Sequence, residues 1–109
     1  MKKILLAVMS AFLLSCSGDS VCDKVVSVYE NAAEKVLTAN SREELRSLER
    51  GQNAECSKVL RDCAAELAEI EEKAADGNKR AVEQLRKLND AKKLYRESKA
   101  EKRKALKSL

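Results

Sequence analysis

The chain has 109 residues, with 22 Lys and Arg against 18 Asp and Glu, no His, and a formal net charge of +4. It lacks Pro and Trp and has one Phe and two Tyr. Without His the commonest general base is missing, and no Gly-rich loop offers a phosphate cradle. A core without large aromatics is thin, so a deep substrate pocket is not expected. The abundance of Ala, Leu, Glu, Lys and Arg without Pro favours helix, because these residues lose least on entering one.

The first element is not part of a fold. Lys2 and Lys3 precede an apolar run from Ile4 to Leu14, broken only by Ser10, and the small residue Ser15 stands before Cys16. A basic head, an apolar core and a small-residue cleavage point describe a secretory signal peptide. Eleven residues rise only about 16 Å as a helix, short of the roughly 30 Å hydrocarbon core, so a lasting span is not expected. Ending on Leu13-Leu14-Ser15-Cys16, the stretch resembles the lipobox of bacterial lipoproteins. That resemblance implies cleavage after residue 15, a mature N-terminus at Cys16, and acyl chains (palmitate among them) on that cysteine. It further implies an outer-membrane destination, because Ser17 stands where the family's inner-membrane retention signal usually has Asp. Several acyl chains anchor stably, where one holds only marginally.

The 94 residues from Cys16 onward suffice for one domain. Residues 16–20 read as a polar tether and 21–109 as a helical domain, with Asp19 or Ser20 capping the first helix. Apolar residues then recur at Val21/Cys22, Val25/Val26, Tyr29, Ala32/Ala33 and Val36/Leu37, a helical stripe. Ser41-Arg42-Glu43-Glu44 is a capping-box pattern opening a second helix. Its stripe, Leu45, Leu48, Gln52, Cys56, Val59, Cys63, Leu67, Ile70 and Ala74, passes through Gly51 without losing phase, so one long helix is the reading, with Gly51 its weak point and the place for a bend or break. Asp76-Gly77-Asn78 is the clearest turn. A third helix follows, with Ala81/Val82, Leu85, Leu88, Ala91/Lys92, Leu94/Tyr95 and Ser98 as its stripe.

The expected fold class is all-α: an elongated antiparallel three-helix bundle, or long hairpin with a shorter N-terminal helix, over about 20–39, 42–75 and 79–107. Folding about Gly77 pairs residues whose numbers sum to about 155, setting Val59 near Tyr95 or Arg96 and Leu48 near Leu106. Folding about Asn40 and Ser41 sets Cys22 opposite Val59.

Lipidation of Cys16 leaves three cysteines in an exported, oxidising setting. Cys56 and Cys63 lie two helical turns apart, about 10 Å, too far to bridge each other. Cys22 falls between them and is the expected partner of Cys56 or Cys63, the alternative being small buried thiols. No zinc spacing and no Cys-x-x-Cys pair occurs, so neither a metal nor any other cofactor is expected.

Residues 16–78 carry 8 Lys and Arg against 14 Asp and Glu, whereas residues 79–109 carry 12 against 4. Glu66, Glu69, Glu71 and Glu72 near the turn, with Lys79, Arg80, Arg86 and Lys87 returning alongside, are expected to account for part of this through cross-helix and i,i+4 pairs. Lys99, Lys102, Arg103, Lys104 and Lys107 exceed that need and are candidates for contact with an anionic surface. Export makes nucleic acid a poor partner, so anionic lipid, lipopolysaccharide or an acidic protein is expected instead. The chain ends Lys107-Ser108-Leu109, unlike the lysine-ended lipoprotein that is joined to the cell wall. In general character the mature part resembles the small helical lipoproteins of Gram-negative bacteria, a likeness that transfers no active site. The expected role is a lipid-anchored spacer or adaptor and not an enzyme. The competing reading is a small exported enzyme or inhibitor using carboxylates and a free thiol.

Overall fold

The structure, a computed structural model, describes residues 20–108. The signal stretch, Cys16, Ser17 and the Asp19 cap therefore lie outside the described residues. Four helices occupy nearly all the rest: α1 Ser20–Leu37, α2 Arg42–Asp62, α3 Ala64–Ala75 and α4 Lys79–Lys107. No strand occurs among the described residues. The all-α bundle expected from the sequence is the observed fold, 48 × 27 × 21 Å in extent.

The helix ends follow from local chemistry. Thr38 and Ala39 close α1 with i→i−3 bonds to Lys35 and Val36, ending it two residues before the expected boundary. Ser41 caps α2: its Oγ accepts from the Glu44 N–H, and the Glu44 carboxylate accepts from the Asn40 N–H. This is nearly the reciprocal box that Ser-x-x-Glu suggests, shifted one residue at the return bond. At the α3–α4 turn, Gly77 takes φ 92°. The Asn78 N–H reaches Lys73 O and the Gly77 N–H reaches Ala74 O, the two bonds of a Schellman motif. Asn78 Oδ1 then accepts from the Ala81 N–H and starts α4.

The long helix is interrupted at Cys63 and not at Gly51, which sits inside α2. Cys63 takes φ −107°, ψ 11°, yet its N–H still reaches Val59 O and its carbonyl still accepts from Leu67. The ladder survives, so this is a bend. Neither Gly nor Pro stands beside it in the sequence. α3 lies closely on α4, while α2 touches α4 sparingly. The two helices that flank Cys63 thus pack differently on α4. The Tyr29 and Tyr95 rings stand edge-on with their centres 6.1 Å apart.

α1 packs most heavily on α4 and runs parallel to it: the Cys22 thiol donates to Gln84 O at 3.5 Å, and Tyr29 meets Tyr95. α2 returns antiparallel, with Tyr95 donating to Asn53 Oδ1 at 2.6 Å and Arg103 meeting Glu49 at 2.7 Å. Tyr95 thus reaches Asn53 where a straight hairpin would set it near Val59, a correction of nearly two turns. The core is small and aliphatic, with Val25, Ala32 and Val36 fully buried beside Leu45, Leu88 and Leu106. Packing holds α1 together despite its β-branched residues. Of the paired stripe positions in α4, Ala81 and Tyr95 turn inward, leaving Val82 and Leu94 about half exposed.

Candidate anion-binding groove

The expected anionic-contact residues divide in the structure. Lys99 places its Nζ 4.2 Å from the centre of the Tyr95 ring, and Lys102 is half-buried on the same side as Tyr95, Ser98 and Leu106. Arg103, Lys104 and Lys107 lie on the neighbouring flank of α4. They face Arg42 and Arg46 across an open groove of about 460 Å³, floored by Leu45 and Ala100. Glu49 is the single carboxylate there, and it is occupied: its Oε1 accepts from Arg103 Nη2. The groove thus holds five cations and one engaged anion.

Helix stability accounts for only some of these charges. Lys104 and Lys107 in the last turns of α4 complement the helix dipole, worth tenths of a kcal/mol each. Arg42 and Arg46 stand at the opposite kind of end, in the first turns of α2, where the dipole disfavours a cation. Glu43 and Glu44 relieve that cost, and Glu44 is itself committed to the cap. Arg42, Arg46, Lys104 and Lys107 make no ion pair among the described residues. Three guanidinium groups in one groove suit bidentate capture of phosphate or carboxylate oxygens.

Arg42 and Arg46 were not among the residues that sequence reasoning singled out, being some 60 positions from the lysine-rich end. The available signal was the pairing of Leu48 with Leu106, which brings the start of α2 alongside the end of α4. The i,i+4 pairs expected near the turn are present. Arg86 binds Glu83 and Asp90 on its own helix, and Lys73 lies 3.8 Å from Glu69, so these two cations are held by partners three or four residues away.

The three cysteines are buried. Cys56 and Cys63 are free thiols and Cys22 donates to Gln84, so the bridge expected from Cys22 to Cys56 or Cys63 is not formed. The packing of α1 on α4 sets Cys22 against the Gln84 backbone. Burial pushes the Cys56 thiol up, with Lys99 opposing and Glu55 adding to the rise. A thiol held protonated and covered is the reverse of an activated nucleophile. No group of three or more His, Cys, Asp or Glu among the described residues is placed to hold a metal. No helix among them is long and apolar enough to cross a membrane.

Comparison with known protein families, curated proteins and solved structures finds no match to this chain.

Proposed function

We propose that the chain is a lipid-anchored helical module of the bacterial envelope, held at the outer membrane by acyl chains on Cys16 and acting by contact instead of catalysis. In this role the bundle is a spacer or adaptor, and the groove between α2 and α4 is its contact face for an anionic group. The observation that carries the contact reading is the convergence of Arg42, Arg46, Arg103, Lys104 and Lys107 on one engaged carboxylate. The anchor reading rests on Leu13-Leu14-Ser15-Cys16 behind its apolar run. Burial and the raised pKa of Cys56 weigh against the thiol-based alternative.

The test begins with the chain expressed in a Gram-negative host. The mature N-terminal peptide should have the mass of acylated Cys16, and Cys16→Ala should stay unprocessed and lose detergent-phase partitioning. An unmodified Cys16 in wild type would remove the anchor. Crosslinking in cells from the groove position Arg46, compared with the remote position Lys73, should capture envelope components selectively. Equal capture from both positions would remove the contact reading.

A further inference from the structure

Part of the charge on α4 is sorted by helix face. Its four acids, Glu83, Asp90, Glu97 and Glu101, stand seven, seven and four residues apart, which at 3.6 residues per turn puts them along one line of the helix. Arg86 joins the first two. Lys93, Arg96, Ala100, Lys104 and Lys107 recur every three or four residues along a different line, and all five are exposed. This basic stripe continues the groove down α4 for about 21 Å, parallel to the helix axis. Its four cations make no ion pair among the described residues.

We propose that the stripe and groove rest on the phosphate headgroups of the same leaflet that holds the lipid on Cys16, so that the bundle lies along the membrane. This rests on the lipid-anchored reading above. Charge complementarity supports a headgroup layer over a protein partner. Protein interfaces depend on aromatic or large apolar anchors at their centre, and the one large apolar residue of the groove, Leu45, is 2% exposed; the exposed Val82 and Leu94 lie outside it. Cations spread along a line match a planar array of phosphates, each adding a modest increment. The position of the anchor supports the same leaflet. Cys16 precedes Ser20 by four residues, a span of at most about 14 Å. Because Cys22 is level with Gln84, the stripe starts about 14 Å and ends about 35 Å along the axis from that level. A tether of this length holds the stripe at high effective concentration over its own leaflet, so weak contacts suffice as the second of two membrane signals.

The experiment uses the full lipidated protein carrying a fluorophore at Ala100→Cys, reconstituted into vesicles with acceptor-labelled headgroups. In vesicles containing phosphatidylglycerol, energy transfer should be high. It should be lost in 1 M salt, where the screening length is about 3 Å. It should also be lost in phosphatidylcholine alone, and in the variant Lys93→Gln, Arg96→Gln, Lys104→Gln, Lys107→Gln, whose helicity should match wild type. Low transfer in every lipid would overturn the inference. So would high transfer that persists in the variant, or transfer displaced by millimolar glycerol phosphate, which marks a single-anion pocket. Acylation of Cys16 is read from the same sample by mass. An unacylated chain removes the proposed anchor, whereas an acylated chain without transfer removes only the flat orientation.

Discussion

The Tyr95 hydroxyl gives its hydrogen to Asn53 at 2.6 Å while its ring stands edge-on to Tyr29 and beneath Lys99. Burial, with Cys56, Glu49 and Tyr29 nearby, pushes its pKa up to about 12, and burial with Cys56 nearby raises Tyr29 as well. A pKa above that of the unfolded chain means that folding favours the protonated phenol. That contribution is whole below pH 10 and is lost as pH rises toward about 12. Cys56 acts in the same sense from its ordinary value upward. Helicity should therefore hold to about pH 10 and fall above it. Because the chain has only Tyr29 and Tyr95, absorbance at alkaline pH reads their ionisation directly. Tyrosinate forming near pH 10 in a fully helical chain would contradict this. Tyr95→Phe should cost about 0.5–1.5 kcal/mol, toward the lower end because Asn53 is exposed and water replaces the lost donor. Denaturant unfolding measures it. Cys56 should resist alkylation in the native state and react on unfolding, and a native rate near that of a free thiol would contradict its burial.

At the scale of elements, Gly51 and Cys63 exchange the parts their residue types suggest. Gly51 is exposed in mid-helix, and a Cβ built on it meets nothing within 4 Å. Gly51→Ala should then stabilise the protein by about 0.5–1 kcal/mol through the unfolded chain, raising the melting temperature by several degrees. A loss would show that the residue serves the bend after all. Cys63, an ordinary helix occupant, is where the backbone departs from helical values. Ser41, Glu44, Gly77 and Asn78 were legible because caps and turns are set by residues three or four apart. The bend was not, because neither Gly nor Pro stands beside Cys63 and nothing local in the sequence marks it. The groove was half legible: a run such as Lys99 to Lys107 shows in the chain, but Arg42 and Arg46 join it only through the packing of α2 on α4. The split of the run follows from helical phase. Lys99 and Lys102 fall with Tyr95 and Leu106, whereas Arg103, Lys104 and Lys107 fall on the next flank.

For the whole molecule, structure and charge occupy the same end of the bundle and must be separated to test either. Removing residues 99–109 would delete the basic run, but also Leu106, which is buried, and the Arg103 partner of Glu49. Leu45, now 2% exposed, would lose cover from α4. Loss of a buried Leu alone costs about 2–5 kcal/mol, a large share of the 5–15 kcal/mol that holds an ordinary domain. The truncated chain should therefore melt earlier and lose amide protection in the first turns of α2 as well as its attraction to anionic lipid. The exposed cations Lys93, Arg96, Lys104 and Lys107 contribute little to folding, within about 0.5 kcal/mol each. Their removal should even relieve like-charge repulsion along the stripe. Their joint replacement by Gln should leave the melting temperature near wild type while abolishing salt-sensitive association with anionic vesicles. Calorimetry and vesicle sedimentation on the two variants together check this. If the neutralised protein melts as early as the truncated one, the cations are part of the fold, and the groove loses its standing as a surface kept for contact.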